Sequence, residues 1–202
     1  MTPKIVDKKE KKQQILEAAI RVFAKFGLPN TRMLHIAQAA GIGKGTIYEY
    51  FRSKEDLFIA AFNAFVKESN TRIEKRVRQI HDPEEKLRAY FRGWIEIADS
   101  DVMELADIML DMWAEGIRST EEKDKFNLKG MYENYREQIV QILDEGVRQK
   151  KFKPMDTTIV SSIIIGTLDG LFIQWIMDRD IFQIREAMET LERIIIDGLT
   201  ED

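Results

Sequence analysis

Lys44, Thr46, Tyr48 and Tyr50 fall within the short stretch from Gly43 to Phe51, and together they bring the groups that hold a polynucleotide. A lysine ammonium and tyrosine hydroxyls grip phosphate oxygens, while a threonine offers base edges a hydroxyl and a methyl. Gly45, between Lys44 and Thr46, lets the backbone itself come close to a duplex. Ile47 and Phe51 sit four residues apart, so a helix here turns both toward Ile36 and Ala40 and leaves its other faces free.

These side chains need a rigid mount, and the flanking residues describe one. Met33 to Ala40 predicts a helix of good helix formers, and Gly41 stands where a left-handed C-cap reverses the chain. Ser53 followed by Lys54, Glu55 and Asp56 reads as the N-cap and acidic first turn of the next helix. Upstream, Ile15, Ala19, Val22, Phe23 and Phe26 form one apolar stripe on a helix from about Lys9 to Phe26. Helix, glycine turn, second helix and anchoring third helix are the parts of a DNA-reading head.

The run from Gly41 to Phe51, GIGKGTIYEYF, then Ser53 to Leu57, SKEDL, with the preceding Phe23-Ala24-Lys25-Phe26-Gly27, resembles the DNA-binding domain of the TetR/AcrR family of bacterial transcription regulators. The match covers roughly residues 10 to 60, and the rest of the chain is similar to the family in length and helical character. The resemblance implies a homodimer on a palindromic operator of double-stranded DNA, with a small effector held in the C-terminal domain. Three positions depart from the family pattern. Gly43 replaces the usual hydroxyl residue at the recognition-helix cap, and Arg32 and His35 stand where a hydroxyl and an acid would build a capping box. Thr31 is then expected to cap the helix one residue earlier, and Arg32 to supply a phosphate contact. The DNA-binding set is thus Thr31, Arg32, Lys44, Gly45, Thr46, Tyr48, Tyr50 and Lys54.

Charge supports the head independently of any motif. Residues 1–54 hold 11 Lys plus Arg and 4 Asp plus Glu, a net of +7, whereas the whole chain is formally -4 and the remainder carries -11. A basic head on an acidic body presents an oriented footprint to a polyanion, which the overall pI of about 5.5 conceals. Lys8, Lys9, Lys11 and Lys12 read either as a solvated face or as an arm on the minor groove.

With 202 residues, 44% apolar and 33% charged, the chain suits a small head joined to a larger body: residues 1–54 for DNA, residues 55–202 for effector binding and dimerisation. Only 4 prolines and no alternating β-branched runs predict an all-α fold of about nine helices. No cysteine and only His35 and His81 leave thiolate metal sites and histidine-based catalysis without parts, so neither enzyme activity, metal nor cofactor is expected. The polar N-terminal stretch lacks the apolar core of a signal peptide, which predicts a cytoplasmic protein.

In the body, helices are expected from Lys54 to about Ile80, from Pro83, after Asp101, from about Glu121 to Lys150, from about Asp156 to Met177 and from about Phe182 to Leu199. Phe91, Trp94, Met109, Met112, Trp113, Met131 and Tyr135 combine aromatic area with adaptable thioethers, as in a cavity for an apolar or aromatic effector or simply in a core. Glu104, Asp107, Asp111 and Glu115 read as a solvated face, or as an attraction for a cation. Thr158 to Met177 is apolar enough to suggest a membrane span, but Asp169 near its middle, with Ser161, Ser162 and Gln174, favours a helix buried on most sides, with no membrane as partner. With the stripe on the last helix it predicts an isologous four-helix interface of Ile164, Thr167, Leu168, Leu171, Trp175, Met188, Leu191 and Ile195. Phe172 and Trp175 suit either this interface or the cavity.

Taken together, these features predict a ligand-responsive regulator, most simply a repressor, whose long helix from Lys54 joins head to body. The alternative is a DNA-binding assembly factor on the same head that recruits a protein and senses no small molecule.

Overall fold

The computed structural model describes residues 8–100, 103, 105–118 and 127–200, and within them all side chains but those of residues 107, 111, 115, 116 and 118. Among the described residues there are nine helices and no strand: α1 (Lys8–Asn30), α2 (Met33–Ala39), α3 (Lys44–Tyr48), α4 (Lys54–Arg78), α5 (Pro83–Ala98), α6 (Ala106–Arg118), α7 (Leu128–Arg148), α8 (Thr157–Met177) and α9 (Ile184–Leu199).

The helix ends follow local chemistry. At Gly27 the backbone of α1 leaves helical geometry (φ 70°, ψ 162°), which ends the regular helix at Phe26. Gly41 is left-handed (φ 63°), and Ile42 N–H donates to Ala37 O while Gly41 N–H donates to Gln38 O, the paired bonds that close a helix and turn the chain. The Ser53 hydroxyl accepts from Asp56 N–H at the start of α4, and the Asp82 carboxylate accepts from Glu84 and Glu85 N–H ahead of Pro83. Asp156 does the same for α8.

Two hydrophobic cores result. In the head, α1, α2, α3 and the first half of α4 bury Ile15, Phe23, Ile36, Ile47, Leu57 and Phe58, with the rings of Phe23 and Phe58 edge to face at 5.1 Å. Leu105 and Met112, from the α6 region, belong to this same core. The body core joins Ile73 of α4 to α5, α7, α8 and α9 through Leu87, Phe91, Ile139, Leu143 and Ile164. Ion pairs tie its helices: Lys86 with Glu145, Arg88 with Glu192, and Arg185 with Asp99.

The seventh helix ends tightly against Phe152, which is 3% exposed and lies where a Cβ on Gly146 would stand. Gly146→Ala gains helix propensity of about 1 kcal/mol but forces the ring out of a packed site, a strain of about 1–3 kcal/mol. Because the ring has no room to retreat, thermal unfolding of Gly146→Ala is expected a few degrees below that of the parent chain, at a net cost of about 1 kcal/mol.

Candidate functional site

Of the residues expected to contact nucleic acid, four are exposed on the head. Arg32, Lys44, Gly45 and Tyr48 are exposed, Tyr48 at 50%, while Thr46 is half-buried on the same short helix. Ile47, fully buried, pins α3 to the core, and Phe51 does so just beyond it. Gly43 caps α3 in an extended conformation (φ -70°, ψ 150°) without a side-chain bond. Around Gly45 nothing lies within 4 Å of an ideal Cβ, so no packing inside the protein calls for glycine there.

Four expectations change. Thr31 is 2% exposed and its hydroxyl donates to the Gly27 carbonyl at 2.7 Å, so it bridges the break in α1 instead of facing DNA or capping α2. Arg32 is the N-cap residue, and His35 Nδ1 accepts from its N–H at 3.4 Å; the reciprocal half of a capping box is missing because a guanidinium has no acceptor. The recognition helix is five residues long, shorter than the expected Gly43 to Phe51, and Tyr50 beyond it is half-buried against the head core. Lys54 spends its ammonium on the Pro29 carbonyl at 3.4 Å, joining α4 to the turn after α1.

Below the head, a cavity of about 140 Å³ opens between α4, α5, α6, α7, α8 and α9. Five of the seven expected cavity residues line it: Trp94, Met109, Trp113, Met131 and Tyr135. Phe91 and Met112 do not. Phe91 is fully buried in the body core and Met112 is 7% exposed in the head core, because each is turned to one side of the residues of its helix that line the cavity. The rings stand at steep angles, Trp94 to Tyr135 at 4.9 Å and 89°, and Trp113 to Phe172 at 5.5 Å and 66°. The buried Trp94 Nε1–H approaches the Tyr90 hydroxyl without completing a hydrogen bond. Of the expected acidic series, Glu104 and the side chains of Asp107, Asp111 and Glu115 lie outside the described residues.

The lining also contains residues not anticipated from sequence: Phe62, Phe65 and Val66 of α4, Asn70, Tyr132 and Asp169. Asp169 accepts a 2.8 Å hydrogen bond from the Tyr132 hydroxyl, and burial raises its carboxyl above the usual carboxylate range while that bond pulls the other way. Burial and the neighbouring Asp169 charge likewise raise the Tyr132 phenol. The signal was present: one carboxylate inside twenty residues that are otherwise uncharged.

The expected dimer set is largely spent inside the protomer. Ile164 is fully buried, Met188 and Leu191 are 6% and 7% exposed, and Leu168, Leu171 and Ile195 pack on the body core. Leu168 and Met188 line the cavity, as does Phe172, whose ring stacks on Trp175 at 6.4 Å. Trp175 is half-buried and lies under the Arg179 guanidinium; Thr167, also half-buried, bonds back to the Ile163 carbonyl. Nor is α8 buried on most sides. Ile159, Ile163, Gly166, Gly170, Ile173 and Met177 recur at steps of 4, 3, 4, 3 and 4, and the four large ones are 39–74% exposed. Both glycines have open space where a Cβ would be, as has Gly198 of α9, near the 62% exposed Ile194. Among the described residues α8 is the one helix long and apolar enough to cross a membrane by length and composition.

Residues 15–61 match the family model of bacterial regulatory proteins of the tetR family, and residues 83–200 that of the C-terminal part of the BetI-type transcriptional repressor. The chain is 26% identical over 195 residues to the fatty acid metabolism regulator protein of Bacillus subtilis, spanning 95% of this chain and 97% of that one. Among solved structures it resembles the FadR regulator of Bacillus subtilis in complex with stearoyl-CoA, at 24% identity and a TM-score of 0.68 over 92% of this chain and 98% of that one. It resembles as well a transcriptional regulator of Saccharomonospora viridis in complex with choline, at 24% identity and a TM-score of 0.76 over 96% and 100% of the two chains.

Proposed function

The chain belongs to the tetR family of bacterial regulatory proteins and is a ligand-responsive transcriptional regulator, not an enzyme, and from that premise we propose that it is a dimeric repressor released from a palindromic operator when a small effector fills the body cavity. It would work in the cytoplasm, where its DNA is. Lys44, Thr46 and Tyr48 carry DNA recognition, with Arg32 on the flanking phosphate and Gly45 admitting the backbone. Tyr50 and Lys54, held by the protein itself, act chiefly in shaping the head.

The observation that carries the ligand response is a shared wall. Phe62, Phe65, Val66 and Met109 pack on the head core and also line the cavity. A ligand that pushes on them displaces α4 and α6 relative to the head, so α6 joins α4 as a connection between the two parts. In a close-packed interior such a shift is transmitted, not absorbed. Its leverage equals the difference in ligand affinity between the two arrangements, typically about 1–3 kcal/mol or 5- to 150-fold in operator affinity.

Dimerisation supports the palindromic reading. The period-3.5 seam on α8 turns away from its own chain, and an apolar row with glycines at its centre is what two copies need to pack closely in antiparallel or crossed fashion. The neighbours in complex with stearoyl-CoA and with choline hold chemically unlike molecules, so the effector is read from this cavity: apolar, aromatic-lined and, at about 140 Å³, similar to a cavity that accepts benzene.

A thermal-shift screen of small apolar, aromatic and charged compounds, with each hit then titrated into the protein–operator complex, tests the reading. Hits should weaken operator binding, and operator should weaken the hits by the same factor. A cavity that takes ligands without any change in operator affinity would favour the assembly-factor alternative.

A further inference from the structure

Taking the cavity as the effector site, we propose that it selects an organic cation, an ammonium group on a small apolar or aromatic body, whose charge sits beside Asp169 among the rings of Trp94, Tyr132 and Tyr135. Of the 21 described residues that line the cavity, Asp169 is the one carboxylate, and no lysine, arginine or histidine is among them. A carboxylate in such a place is held against its solvation, and burial raises its protonation range accordingly. The Tyr132 hydroxyl satisfies one of its lone pairs at 2.8 Å; a carboxylate has about four acceptor positions, so most of its capacity is free for a ligand.

The rings complete the case. Trp94 and Tyr135 meet at 89°, and Tyr132 lies 6.2 Å from Tyr135, so the wall presents both faces and edges of electron-rich rings. A cation near ring faces is attracted by their electron-rich π-systems, most strongly when desolvated, and a carboxylate across from it adds directly to that. An anion gains neither: it meets Asp169 as a like charge with no basic group among the described lining residues to offset it. At about 140 Å³ the cavity suits roughly six to nine non-hydrogen atoms, since a cavity of about 150 Å³ holds benzene.

Benzylamine, benzyl alcohol and benzoate have nearly one shape and three charges at pH 7, and calorimetric titration of the full chain without DNA compares them. Benzylamine is expected to bind at least about tenfold more tightly than the alcohol, and benzoate more weakly than either. Asp169→Asn should remove the amine's advantage, bringing amine and alcohol within about threefold, while leaving alcohol binding unchanged. At pH values above the raised pKa of the Asp169 carboxyl the variant should unfold at a higher temperature than the parent, because a carboxyl whose folded pKa is raised costs stability there and the amide oxygen still accepts from Tyr132. That advantage should shrink as pH falls through the raised pKa.

Benzoate binding as well as the amine, an amine preference that survives Asp169→Asn, or binding of none of the three overturns the proposal. Release of operator DNA is measured separately. Asp169-dependent amine binding that leaves operator affinity unchanged would sink the effector reading and keep the cation site. Release by neutral or anionic compounds, without amine binding, would do the reverse.

Discussion

Ile163→Asp is expected to yield a folded monomer that keeps its cavity and loses operator binding by a factor of about 10²–10⁴. Ile163 is 54% exposed on α8, so the substitution buries nothing within the protomer and should leave its thermal unfolding nearly unchanged. In a dimer the same side chain lies beside its symmetry mate or a neighbour in the seam, and a carboxylate there is desolvated without a partner on both copies at once. The loss on DNA then comes from avidity: two heads on one scaffold bind a palindrome with a high effective concentration, and a single head must do without it. Sedimentation velocity gives the mass, and titration of a labelled palindrome gives the affinity. By contrast, an aspartate at Leu191, which is 7% exposed in the body core, should unfold the protein, and this difference separates the seam on the surface from the stripe expected from sequence.

On the head, Lys44→Ala and Thr46→Ala should fail in different ways. Losing the Lys44 ammonium removes a phosphate contact, so binding falls by about tenfold on matched and scrambled duplexes alike and the slope of log affinity against log salt shrinks by about 1 for each head. Thr46→Ala should cost about 1–3 kcal/mol on the matched site, some 5- to 150-fold, and little on the scrambled one. Tyr50→Phe should matter less than Tyr48→Phe, because Tyr50 is half-buried against the head core while Tyr48 is 50% exposed. Titrations at several salt concentrations distinguish these outcomes, and equal losses on both duplexes for Lys44 and Thr46 would remove the division of roles.

The head was largely legible from sequence because its determinants are local. Gly41, Ser53 and the pair Ile47 and Phe51 each act within a turn or two, and all stand as expected. Thr31 misled because a hydroxyl before a helix has two nearby acceptor or donor choices; the break at Gly27 exposed a carbonyl that claimed it. In the body, periodicity told which residues are apolar but not which neighbour each one faces. On α8 every side is apolar, so a stripe cannot be phased from sequence, and Ile164 and Ile163, one residue apart, end on opposite sides of the protein surface. Phe91 and Met112 missed the cavity for the same reason: the lining is set by which helices leave a gap, a property of packing among six helices. Asp169 shows the converse. Its isolation in an apolar run was visible, yet its meaning depended on Tyr132, 37 residues away, reaching it.

Selection of duplexes from a random pool by the purified chain, at several salt concentrations, tests most directly the claim that this is a dimeric, DNA-reading regulator. The parent chain is expected to enrich an inverted repeat, with half-site positions that relax under Thr46→Ala and enrichment that collapses under Ile163→Asp. Recovery of no inverted repeat at any salt concentration, or equal enrichment of the same repeat by Ile163→Asp, would contradict that claim.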